Sequence, residues 1–253
     1  MGDKSTIEWT DATWNPWRGC HKVSQGCKHC YMFREQRMYG ADPNVVMRSK
    51  TTFEAPLKWK DPKMIFTCSW SDFFIEEADV WRDEAWEIIR QTPQHTYQIL
   101  TKRPERIRDC LPAATCQGDW FPRNVWWGVS IESQEHIQRW SILDSALHYH
   151  IPAVMFISAE PLLGPLDLSG EMQEIDLGDE EHNWWTRTPD WIIVGGESGP
   201  DYRSMDLEWA RSILAQCREY EVACFVKQLG GWPNKRTDLS EWPEDLRVRE
   251  WPE

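Results

Sequence analysis

Nothing in the chain approaches the roughly 18 consecutive apolar residues of a membrane-spanning helix. Residues 1–14 are polar and charged and lack the apolar core of a secretory signal, so the expected place is the cytoplasm. Positive charge is also in short supply. Asp and Glu number 41 against 28 Lys and Arg, a net charge of −13, which argues against broad charge-driven binding of nucleic acid. It leaves room for a local basic patch or a nucleotide-sized substrate. There is no internal repeat, no low-complexity run and no GxGxxG after the first strand, so the dinucleotide-binding fingerprint is missing. Disorder is excluded by content: 41% of residues are hydrophobic and 13% aromatic. At 253 residues the chain is long enough for one large domain or two small ones.

Tryptophan is the abundant residue, at 18 copies. Its indole offers a large flat surface with one donor, useful in cores and for stacking on bases. Most of these rings are expected in the core or at its rim.

Short apolar segments recur at intervals of about thirty residues: 64–68 (MIFTC), 96–100 (TYQIL), 125–130 (VWWGVS), 153–158 (AVMFIS), 191–195 (WIIVG) and 222–226 (VACFV). Helical patterns lie between them. Trp81, Ala85, Ile88 and Ile89 share one face, stopped by Thr92-Pro93; Ile137, Trp140, Leu143 and Leu147 share a second. Leu207, Ala210, Leu214 and Cys217 make a third, started near Asp206. Strands alternating with helices predict a parallel sheet with right-handed crossovers. A further strand around residues 14–19 brings the count to about seven. The fold class expected is α/β, a full or partial (β/α) barrel over residues 1–229, with functional groups at the C-terminal strand ends. A flat doubly wound sheet is the alternative. Residues 171–182 carry six acids without Lys or Arg and read as a solvated loop or lid. Residues 230–253 hold three Trp-Pro pairs and read as a tail packed on the barrel.

Eight cysteines in a reducing compartment point to free thiols or metal ligands rather than disulfides. Cys20, Cys27 and Cys30 are clustered in a loop ahead of a helix expected over about residues 29–39. Three thiolates so placed can converge on one metal centre. One possibility is zinc, with His21 or His29 completing a Cys3His site. Another is a [4Fe–4S] cluster with three cysteine ligands and one open iron. Plain structural thiols are the third.

A three-cysteine cluster in the loop after the first strand of an α/β barrel resembles the radical S-adenosylmethionine enzymes. Their usual spacing is CxxxCxxC, whereas this chain has CxxxxxxCxxC. Their residue before the last cysteine is commonly aromatic and lies by the adenine; here it is His29. The strings TWNPWRGC, GCKHCY, LTKRP, NVWWGVS, ISAEPLLGP and IVGGESGP, in that order, resemble a phage-associated radical-SAM-type family that also occurs in bacterial genomes. The resemblance implies that Cys20, Cys27 and Cys30 hold a [4Fe–4S] cluster. It further implies that S-adenosylmethionine is the cofactor, that a flavodoxin- or ferredoxin-type protein is the electron donor, and that a 5′-deoxyadenosyl radical takes hydrogen from an unreactive carbon. The phage context points to a nucleobase, nucleotide or DNA substrate.

Polar residues follow each strand in support of a site at the strand ends. The candidate cofactor-binding groups are His29, Ser69, Ser71, Asp72, Lys102, Ser130, Glu132, Gly195 and Gly196, and the candidate catalytic groups are Cys68, Glu160 and Glu197. The spacing is also similar to that of the spore photoproduct lyases. By that likeness Ser69, Lys102 and Ser130 contact S-adenosylmethionine, and Cys68 returns a hydrogen atom to a product radical. A small buried side chain at a strand end is the plainer role for Cys68. Trp70, Trp126 and Trp127 are candidates to floor the site, and Lys102, Arg103, Arg106 and Arg108 form a candidate basic strip. Two other classes compete: a zinc-stabilised binding protein, and a divalent-metal hydrolase built on Asp72, Glu160 and Glu197.

Overall fold

The short apolar segments do become strands: Val154–Ala159 and Trp191–Gly195 bury every side chain, Thr96–Thr101, Val125–Ser130 and Ala223–Gln228 most of theirs, and Met64–Thr67 alternate ones. In the computed structural model, which describes residues 3–116, 118, 120–172 and 187–253, the elements run as follows. β1 (Ala12–Trp14) and β2 (Trp17–Arg18) precede α1 (Tyr31–Met38) and β3 (Met47–Arg48). Then come β4 (Met64–Thr67), α2 (Asp79–Gln91), β5 (Thr96–Thr101), the single turn α3 (Ala113–Cys116), β6 (Val125–Ser130) and α4 (Gln138–Leu147). β7 (Val154–Ala159), β8 (Trp191–Gly195), α5 (Leu207–Glu219) and β9 (Ala223–Gln228) complete the chain.

Seven strands hydrogen-bond in the order β1-β4-β5-β6-β7-β8-β9, and β1–β4, β4–β5, β7–β8 and β8–β9 are parallel ladders. The fold is therefore α/β as expected. The sheet has edges at β1 and β9, so it is the partial form of the barrel rather than the closed one. β2 and β3 form a separate two-stranded ribbon. The strand expected around residues 14–19 is thus two short strands, broken at Asn15-Pro16, where proline cannot donate to a ladder. No helix among the described residues is long and apolar enough to cross a membrane.

The chain divides into two compact units, residues 1–128 with 146–153, and residues 129–145 with 154–253. In the first, Trp17, Phe73, Trp86, Trp127 and Phe74 form a chain of ring contacts. Trp127 is buried in this core rather than floor to a site. The indole N–H groups of Trp14, Trp17 and Trp86 donate to the carbonyls of Phe53, Asp72 and Cys110. Each ring thus fills core volume and pins a loop at the same time. α2 stops where the Thr92 hydroxyl turns back to the Ile88 carbonyl, with Pro93 unable to continue.

In the second unit α5 starts at Asp206, whose carboxylate accepts from the Glu208 N–H at 3.0 Å. The tail packs against β9. Val226 N–H donates to Val248 and Glu250 N–H to Cys224, while Trp251 stacks on Trp191. This covers an edge strand that otherwise presents open donors and acceptors. Of the acidic segment 171–182, only Glu171 and Met172 lie within the described residues.

Candidate functional site

The loop that carries the three clustered cysteines is fixed at its root. Gly19 precedes Cys20 with φ +95°, and a Cβ there would lie 2.3 Å from the Val45 carbonyl oxygen. Only glycine fits such a position. Its carbonyl accepts from the Ser71 hydroxyl at 2.6 Å and its N–H donates to Trp70 at 3.1 Å. Asn15, buried, holds the same turn: its amide donates to Ser69 Oγ at 2.9 Å and its oxygen accepts from the Trp70 N–H at 2.7 Å. Ser69 and Ser71 thus brace the loop after β4. Tyr31, at the start of α1, donates its hydroxyl to the Ser69 carbonyl at 2.7 Å.

Cys20, Cys27 and Cys30 are free thiols. Burial pushes Cys20 up to about 12, aided by the Asp72 carboxylate and opposed by Arg103. Cys30 is also raised by burial, while the N–H groups of Met32 and Phe33 at the head of α1 and the Lys102 charge pull it down. Cys27 acts electrostatically on both of the others, so the three share one neighbourhood. They are not drawn onto one point: among the described residues no group of three or more His, Cys, Asp or Glu side chains is gathered as a metal site. The chemistry of the donor set, three unbridged thiols on one loop, fits a thiolate-held centre. His21 turns its ring to Glu77, with Nε2 2.5 Å from Oε1. His29 is half-buried.

Asp72 organises the positive side of this site. Buried, it accepts from the Phe74 N–H and the Thr101 hydroxyl on one oxygen, and from the Lys102 N–H on the other. The same second oxygen lies 3.2 Å from Arg103 Nη1. Four donors saturate a carboxylate, so Asp72 is a brace for the β5 end rather than a ligand contact. The Arg103 guanidinium it holds reaches Cys20 Sγ at 3.8 Å and donates to the His21 carbonyl at 3.0 Å. Arg103, read from the sequence only as part of a basic strip with Lys102, is the cation that meets the cysteine loop. The signal was an acid after the neighbouring parallel strand β4, Asp72, which needs a cation once buried. Arg106 belongs to a separate pairing with Asp79, and the basic strip 102–108 is broken accordingly.

Cys68 closes β4 with φ +64°, a left-handed conformation rare for a side chain other than glycine. It is fully buried, and burial and Asp72 hold its thiol well above the usual range. It therefore stays protonated.

In the second unit the strand-end carboxylates are each paired with a cation. Glu132, fully buried, contacts Arg139 at 2.7 Å, and the same guanidinium donates to the Ser130 carbonyl. Glu160 accepts from the buried Ser158 hydroxyl at 3.3 Å and pairs with Lys227 at 3.0 Å. Glu197 takes the Arg203 backbone N–H and guanidinium together, the shortest contact being 2.5 Å. A Cβ on Gly195 would lie 2.4 Å from Glu160 Oε1, and one on Gly196 2.4 Å from the Leu229 carbonyl. These two glycines make room for the protein's own groups. The carboxylates proposed for a hydrolase, Asp72, Glu160 and Glu197, are thus each neutralised within their own unit.

A family model described as a protein of unknown function (DUF5131) matches residues 4–251. No curated protein and no solved structure matches the chain.

Proposed function

Since the chain belongs to this family of proteins of unknown function, DUF5131, we propose an activity from the site in its first unit: that of a radical S-adenosylmethionine enzyme. The observation that carries the reading is a loop of three free thiols, Cys20, Cys27 and Cys30, with a buried guanidinium donating to Cys20 and the Lys102 charge acting on Cys30. Cationic donors around sulfur favour an anionic thiolate centre. His21 is committed to Glu77, which favours three protein ligands over a Cys3His zinc site built on that residue. Cys20, Cys27 and Cys30 would hold a [4Fe–4S] cluster, which when bound would supply the electron for reductive cleavage of S-adenosylmethionine.

The chain's own residues have separate tasks in this reading. Asp72 holds Arg103, and Arg103 orients Cys20 by a hydrogen bond to its sulfur and another to the next carbonyl. Lys102 offers charge to an anionic carboxylate. Cys68, kept as a thiol, is the form able to hand over a hydrogen atom. The electron comes from a small flavodoxin- or ferredoxin-type protein.

The test is release of 5′-deoxyadenosine from S-adenosylmethionine by anaerobically prepared, chemically reduced protein. The wild type should release it and Cys27→Ala should not. A colourless protein that binds one zinc, even after reconstitution with iron and sulfide, would replace this reading by a zinc-stabilised binding module.

A further inference from the structure

The segment between residues 18 and 50 holds a charge unlike that of the rest of the chain. It carries seven Lys or Arg and two acids, a net of +5, whereas the remaining residues carry 21 against 39, a net of −18. The fold gathers this charge on one excursion. β2 leaves and β3 returns as an antiparallel pair, Trp17 against Arg48 and Arg18 against Met47. The Cys20 N–H donates to the Pro43 carbonyl at 2.9 Å just beyond the ribbon. Between these ties α1 turns Met32, Phe33 and Gln36 inward. Helical periodicity then puts Tyr31, Arg34, Arg37 and Met38 on the outer face. Lys22, Lys28, Arg37 and Lys50 are exposed.

Aromatic rings stand among these charges. Tyr39 is 78% exposed and lies against Trp70, with 6.1 Å between ring centroids and 32° between planes. Tyr31, exposed on the same helix, is held in place by its bond to Ser69.

We propose that this face binds a single-stranded segment of nucleic acid, phosphates on the basic side chains of the excursion and bases on the Tyr39 and Tyr31 rings. Interleaved cations and rings are how single strands are held without sequence readout. A duplex hides its base faces from such rings. The negative remainder of the chain limits contact to a few phosphates. An acidic protein would answer the charge equally well, but the exposed, braced rings favour bases. The inference deepens the enzyme reading by giving its substrate class as a nucleobase within a strand. It rests on that reading only for the chemistry that follows; binding needs no cluster.

The experiment is fluorescence anisotropy of a labelled 20-nucleotide oligo-dT, and of its duplex with oligo-dA, with the full chain. Binding of the single strand should exceed that of the duplex. With about three phosphates contacted it should weaken about ten- to thirtyfold between 50 and 200 mM salt. Arg34→Glu with Arg37→Glu, and separately Tyr39→Ala, should each lose about tenfold or more. Lys58→Glu with Lys60→Glu makes the same charge change outside the excursion and should bind as the wild type does; thermal melts check that every variant folds. Absence of binding at 50 mM salt overturns the proposal. So does equal loss in the Lys58/Lys60 control, or binding of an acidic ferredoxin that the oligonucleotide does not displace. Protein that binds the strand but takes up no iron keeps this face and loses the radical chemistry. Iron-loaded protein indifferent to the strand does the reverse.

Discussion

The strand ends of the two units solve the problem of buried charge differently. In the second unit Glu132, Glu160 and Glu197 are each closed off by a cation of their own, Arg139, Lys227 and Arg203. In the first, the buried carboxylate Asp72 saturates itself on donors from its own loop and from the end of β5, and the guanidinium it holds reaches beyond the pair, to the sulfur of Cys20. An ion pair that ends on itself is a structural device. One that passes a donor on to a free thiol is the arrangement of a site. The difference teaches that polar strand ends alone do not locate function; what matters is whether their partners are already met inside the protein.

The comparison breaks most visibly under substitutions that separate stability from metal binding. The largest stability effect is expected for Glu132→Ala, which leaves Arg139 buried without its partner and should cost about 3–5 kcal/mol in denaturant unfolding. Metal uptake by the cysteine loop should survive in whatever fraction stays folded. If Glu132→Ala instead left stability unchanged, the description of the second unit's ends as structural would fail.

The two glycines come next. Gly19→Ala and Gly196→Ala both drive a Cβ to within 2.5 Å of a carbonyl oxygen. Each should cost about 1–3 kcal/mol of strain. Only Gly19→Ala should also reduce metal content, because Gly19 sets the position of Cys20. Equal metal content in the two variants would contradict the loop geometry.

Arg103→Met sharpens the same contrast from the other side. Asp72 keeps three donors but loses the cation its burial calls for, so stability should fall by about 3 kcal/mol, the low end for a broken buried pair. Metal affinity, measured by competition with a chelator, should fall about 10–100-fold, as for other groups that orient a ligand. Arg103→Lys should restore only part of it, since an ammonium cannot reproduce the fork that serves Asp72, Cys20 and His21 together.

The smallest effect is that of Asp206→Ala. Loss of the α5 cap should lower stability by about 1 kcal/mol. Metal content should be unchanged, which a paired melt and metal assay would show.

The fold was largely readable before the structure because the six strand-length segments and three helical faces have clean periods. β6 and β8 fall on the expected residues, and α5 begins after Asp206 as its capping residue implies. The break between β1 and β2 is marked in the sequence by Pro16, which the flanking Trp14 and Trp17 obscure. What the sequence does not carry is the turn itself, which the Asn15 side chain holds by stapling Ser69 and Trp70.

At the site, the thiol loop was visible in the spacing of its cysteines. The division of labour among the strand-end residues was not. Asp72 and Lys102 are alike in sequence as polar residues after a strand. Which of them is saturated depends on Thr101, Phe74 and Arg103, brought together by two separate loops. Gly195 and Gly196 likewise carry no mark in sequence of what fills the space above them, which is Glu160 and Leu229. Pairing across loops is a tertiary property, and composition at one strand end does not encode it.

The central claim is that Cys20, Cys27 and Cys30 together hold an iron–sulfur centre. Iron and sulfide analysis with an absorption spectrum, on anaerobically reconstituted wild type beside Cys27→Ala, tests it most directly. The account predicts a brown protein with about four iron and four sulfide per chain, and a variant that stays folded but colourless. A wild type that remains colourless, or a Cys27→Ala variant that keeps its full iron, would contradict it.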